Sequence, residues 1–193
     1  METQAELERR LKAINELSAQ YMLPREMWTP ADEAVYMQLD LLGAPMDEAQ
    51  ALQFKAIKYA FTRHYTLNDW YHKFCDTRGF TPDGVNTNDD LNKIPLVPDL
   101  TFKQHPSGKD LASWIERIFT GDLPRVTINT PDPSFDDILE AYNAAGLFVA
   151  HSTGTSGQHS VIQRDRQTWN SFVYATLKGG ISYSDALSID HSL

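Results

Sequence analysis

Six consecutive hydroxyl and glycine residues, Ser152-Thr153-Gly154-Thr155-Ser156-Gly157, stand between two short apolar runs, LFVAH (147–151) and SVIQR (160–164). The six offer no large side chain to a core, while the flanking runs are rich in residues that suit a pleated, half-buried surface. The local order is therefore strand, polar connection, strand. One reading is a plain hairpin. A two-residue hairpin turn needs only a pair of turn formers, however, and this connection is longer and richer than turning demands. The other reading is a phosphate cradle: glycine allows backbone amides to approach closely, and hydroxyls add donors for oxygens that only accept. It is neither a Walker loop nor a dinucleotide fingerprint, since two residues separate Gly154 from Gly157 and no Gly-Lys-Ser/Thr follows. On composition alone the hairpin is the simpler choice.

Ahead of this tract the chain changes character near Thr81, giving a helical region over 1–80 and an α/β region over 81–193. Leu7, Leu11, Ile14 and Leu17 form one apolar stripe of a first helix. Thr29-Pro30 with Asp32 opens a second, which closes near Gly43. A third starts at Asp47, with Gln50 placed as in a capping box, and runs to about His64. Thr66 is the expected cap of a short aromatic helix ended by Gly79. Prolines 95 and 98 keep the following stretch extended. The segment KDLASWIERIFTGD then predicts a helix stopped at Gly121, RVTINT (125–130) a strand, and FDDILEAYNAA a helix capped by Ser134 and ended by Gly146. Asp165 caps a last helix carrying Trp169, Phe172, Val173 and Leu177, with Gly179-Gly180 as its expected stop. The class is α/β: a helical amino-terminal region, then a partial mixed α/β subdomain built around the strand–loop–strand unit.

A net charge of −9 argues against general binding to nucleic acid or to an anionic membrane, because both need a positive field. From His151 to Gly180 the charges are Arg164, Asp165, Arg166 and Lys178, a local +2 that leaves −11 for the remainder. An anionic small ligand is best tolerated beside the hydroxyl tract. One cysteine, Cys75, permits no internal disulfide. The first twenty residues lack the apolar centre of a signal peptide, and no run is long enough to span a bilayer, so cytoplasm is the expected location.

Other polar residues weigh toward structure. His64, His72 and Cys75 are soft ligands close in sequence, but no fourth is evident and Trp70, Tyr71 and Phe74 around them read as core. A buried thiol among aromatics is the expectation for Cys75. Asp89-Asp90 and Asp136-Asp137 sit in first helical turns, where the helix dipole favours acids. Lys103 and Arg164 are candidate anion contacts, each with surface exposure as the competing reading.

The tract STGTSGQHS resembles the phosphate-binding loop of the adenylate-forming (AMP-forming) ligases, whose pattern is roughly T-S-G-T-T-G-x-P-K. Ser152, Thr153, Gly154, Thr155, Ser156 and Gly157 match it in order, while His159 and Ser160 stand where proline and lysine are usual. The serine, together with IPLVPDLTFK (94–103), is most similar to the acyl-protein synthetase branch, and RDRQTWNSFVYATLKGG resembles the post-loop helix of phenylacetate–CoA ligases. The resemblance implies ATP and Mg2+, with the ATP phosphates held by Ser152, Thr153, Gly154, Thr155, Ser156, Gly157 and Ser160. It implies that 81–193 begins a nucleotide-binding subdomain truncated relative to the family. It also implies a small-molecule carboxylate, fatty or aryl, activated as acyl-AMP and passed to a thiol acceptor, a protein cysteine or CoA. The family's adenine, ribose and hinge motifs follow the loop at a distance beyond Leu193, so the implied object is an amino-terminal portion, inactive alone. The alternative is a shortened, non-enzymatic binding or assembly module.

Overall fold

The structure is a computed structural model that describes residues 4–37, 45–152 and 159–189. Its helices are α1 (Gln4–Ala19), α2 (Pro30–Met37), α3 (Met46–Leu67), α4 (Asp69–Asp76), α5 (Leu100–Lys103), α6 (Lys109–Ile118), α7 (Phe135–Ala144) and α8 (Arg166–Ile189). Two strands, β1 (Phe148–His151) and β2 (Val161–Arg164), form one antiparallel pair. Helix dominates, and the class is α/β in this coarse sense. No helix of the described residues is long and apolar enough to cross a membrane. The chain forms two compact units, residues 1–57 with 167–193, and residues 58–166. The change of composition at Thr81 lies inside the second.

In the first unit, α2 begins as its sequence dictates. Asp32 Oδ2 accepts from the Thr29 amide and hydroxyl at 2.9 and 2.7 Å, and the Asp32 amide donates back to Thr29 Oγ1. The other oxygen of this buried carboxylate accepts from Ser171 Oγ on α8. Leu23, Tyr36 and Tyr174 form the small core, with the two tyrosine rings edge-on at 4.6 Å. Of the expected α1 stripe, Leu17 is exposed, and the side chains of Leu7, Leu11 and Ile14 lie outside what is described. Gly43, the expected stop of α2, also lies outside the described residues.

The second unit holds the larger core. Leu111, Trp114 and Ile115 on α6 meet Ile138, Leu139 and Tyr142 on α7, spacings of three and four that place each set on one helix face. Leu147, Val149 and Val161 close it from the strand pair. Burial of each such aliphatic side chain favours the fold by roughly 1.5–3 kcal/mol. Ser134 and Asp137 form the capping box of α7. The helix ends where Gly146, at φ 89°, turns the chain so that Leu147 N–H reaches the Tyr142 carbonyl at 2.9 Å.

Several expectations change. RVTINT (125–130) is not a strand: it has no ladder partner among the described residues. Its period-two pattern survives, because Val126 and Ile128 are partly buried against the core while their neighbours are exposed. The cap of α4 is Asn68 and not Thr66, which lies within α3. Asn68 is buried and donates to the Phe119 carbonyl at 3.0 Å, a tertiary partner, whereas Thr66 is exposed. Helix α6 stops at Ile118, short of Gly121. A helical turn, α5, follows Pro98 within the stretch expected to be extended. Helix α8 runs through Gly179-Gly180, since Gly179 does not take the left-handed conformation by which glycine stops a helix.

Candidate functional site

The strand register pairs Phe148 with Arg164 and His151 with Val161, so residues 152–160 connect the two paired ends. One further rung lies beyond the ladder: the Ser152 amide donates to the Ser160 carbonyl at 3.1 Å. The Ser160 amide donates to Ser152 Oγ at 2.9 Å, which leaves that hydroxyl's own hydrogen for another acceptor. The Nδ1 of His159 donates to the Ser152 carbonyl. Thr153, Gly154, Thr155, Ser156 and Gly157 lie outside the described residues.

The two candidate cations differ. Lys103 Nζ donates to Asp99 Oδ2 at 3.1 Å, one helical turn away, and holds the Asp99 carboxyl below its ordinary range. An incoming anion would have to compete with that carboxylate. Arg164 ends β2 opposite Phe148, three positions from the His151 rung, and is partly buried. The Arg166 guanidinium covers the Phe148 ring at 4.3 Å, a cation–π contact that fixes the same end of the strand pair.

Sequence reasoning missed an imidazole cluster beside Ser152. His105, His151 and His159 all contact the ring of Phe135, with centroid distances of 5.9, 5.8 and 6.4 Å. The visible signal was a histidine on each side of the hydroxyl tract. The fold supplies the rest by bringing His105 and the first residue of α7 to the same place.

The other residues weighed in the sequence have structural partners. His64 Nδ1 meets Thr120 Oγ1, and its burial lowers its pKa. His72 Nδ1 donates to the Tyr65 carbonyl, and its Nε2 is 3.3 Å from Asp76. Cys75 is fully buried, and burial pushes its thiol up. No three His, Cys, Asp or Glu side chains are gathered for a metal among the described residues. Asp90 closes a box with Thr87 and pairs with Lys93 at 2.8 Å; Asp137 closes that of Ser134.

Comparison with protein-family models, with curated proteins and with solved structures gives no match.

Proposed function

We propose that the chain is the amino-terminal portion of an ATP-dependent ligase that activates a carboxylic acid as acyl-AMP for transfer to a thiol. The observation that carries the reading is the paired ends of β1 and β2 on either side of the hydroxyl tract, with Ser152 and Ser160 hydrogen-bonded across them. A phosphate-binding connection needs such an anchorage, because backbone amides contribute to anion binding only when both ends of the connection are held. In this reading Ser152, Thr153, Thr155, Ser156 and Ser160 donate hydroxyls to phosphate oxygens, and Gly154 and Gly157 admit them close to the backbone. Lys103 is one candidate cation, at the cost of releasing Asp99, while Arg164, at the far end of β2 from the tract, adds its charge only at a distance. Magnesium accompanies the nucleotide phosphates, as hard cations of its kind do. A carboxylate is a poor acyl donor, and attachment of AMP supplies the leaving group.

The test is a titration of isotopically labelled full chain with pyrophosphate at about pH 8, where imidazole is neutral. Amide shifts within 152–166 are expected, with a dissociation constant of about a millimolar, equivalent to about 4 kcal/mol. A Gly154→Val, Gly157→Val double variant should lose them, and Asp89→Ala should keep them. Unmoved amides at saturating pyrophosphate would reduce the tract to a hairpin connection.

A further inference from the structure

Three imidazoles share one phenyl ring in the second unit, and their geometry is specific. Phe135 stacks on His105 and His159, with interplanar angles of 26° and 27°, while His151 meets it edge-on at 82°. His151 and His159 stand 5.4 Å apart at 83°. His105 also rests against Trp114 at 5.9 Å. A carbonyl oxygen only accepts, so Nδ1 of His159, facing the Ser152 carbonyl, carries its hydrogen, as does Nδ1 of His105, facing the Pro106 carbonyl. In the neutral ring Nε2 is then the acceptor, and it is where a second proton is taken. The aromatic faces of Phe135 and Trp114 suit the charged ring that results.

Two positive imidazoles so close repel one another unless an anion lies with them. We propose that His151 and His159 form an oxyanion site at the Ser152–Ser160 end of the strand pair, and that occupation by a sulfate- or phosphate-type dianion is coupled to proton uptake by these rings. The proposal rests on the phosphate reading for its class of ligand, and on the imidazoles alone for its coupling. Each event favours the other by the same factor, as linkage requires.

The neighbouring charges leave this role open. On α5, Lys103 is engaged by Asp99, and on α7 the Asp137 carboxylate is turned to Ser134. Asp136 and Glu140 on α7, Asp110 and Glu116 on α6, the last accepting from the Tyr142 hydroxyl, and Asp132 ahead of α7 are the other acids, set against Lys109 and Arg117 on α6 and Arg164 at the opposite end of β2.

Inorganic sulfate is the probe, a dianion throughout the range in which imidazole titrates. Its affinity for the full chain should rise from about pH 8 to about pH 6, by up to about tenfold per unit for each proton taken up. A His151→Gln, His159→Asn double variant should flatten that dependence while retaining the wild-type thermal transition; asparagine keeps a donor for the Ser152 carbonyl. Sulfate affinity that does not change with pH, or a slope that survives in the double variant, overturns the proposal, as does failure to bind at about pH 6. Histidine-dependent sulfate binding at low pH, with pyrophosphate failing at about pH 8, would support this site and remove the loop reading. Pyrophosphate binding that needs the glycines, beside a flat sulfate profile, would do the reverse.

Discussion

Nδ1 of His64 lies 2.7 Å from Oγ1 of Thr120, joining the last turns of α3 to the chain just past α6. The ring is partly buried, and burial first, then the nearby Arg63, lowers its pKa below the ordinary 6.5. Folded His64 therefore holds a proton less readily than unfolded His64. Its contribution to stability is complete above about 6.5 and is lost as pH falls through that value toward the lower folded one. Urea midpoints of wild type and His64→Gln, taken from about pH 7.5 down to about pH 5, should converge as the pH drops. Parallel curves would show that His64 is not the group responsible.

Asn68 ties the start of α4 to the same stretch past α6. Its Oδ1 accepts from the Tyr71 amide as the cap of α4, while Nδ2 donates to the Phe119 carbonyl and to Thr120 Oγ1 at 3.0 and 3.3 Å. Asn68→Ala should cost about 2–3 kcal/mol, a lost cap plus acceptors left buried without a donor. Asn68→Asp preserves the capping oxygen but turns a carboxylate on those acceptors, so it should be no more stable than the alanine variant. Chemical denaturation distinguishes the two roles: full rescue by aspartate would make the cap the whole effect.

Asp90 should titrate well below an ordinary aspartate. Lys93 is the main cause, followed by the amides of Asn86 and Thr87. Because the folded pKa is depressed, the associated stability is present above the ordinary aspartate range and is lost as pH falls toward the folded value. Carbon-detected titration of the carboxyl resonance should show the depression, and Lys93→Met should move it partway back. No movement would assign the shift to the backbone amides alone.

The segment 125–130 lies extended on the core without a ladder among the described residues. Its amides should exchange with solvent far faster than those of β1, β2 and α7. Val126→Ala and Ile128→Ala should each cost about 1 kcal/mol, whereas Thr127→Ala should be near neutral. Slow exchange over this stretch would reveal a pairing partner.

These cases mark what the sequence makes legible. The caps at Thr29 and Ser134 and the stop at Gly146 are decided within a few residues, so local chemistry suffices to read them. The pairing of 148–151 with 161–164 follows from two β-prone runs around a polar connection. A strand at 125–130 is not a local property, because Val126 and Ile128 record a buried face while nothing nearby specifies a neighbour. Thr66 and Asn68 are both good capping types, and the choice falls to a contact with Phe119 some fifty residues away. The imidazole cluster follows the same rule. His151 and His159 announce themselves, but only packing brings His105 and Phe135 to them.

Asp32 has a bearing on how the chain is made. Its two oxygens serve Thr29, three residues earlier, and Ser171, which lies 139 residues later. Tyr36, which also meets the nearby Trp28 ring, likewise finds a distant ring partner in Tyr174. A chain emerging from the ribosome can complete the continuous unit of residues 58–166 while the earlier unit is still waiting for α8. Until Ser171 and Tyr174 are synthesised, one oxygen of Asp32 and one side of the Tyr36 ring lack their partners. The part made first is the part finished last.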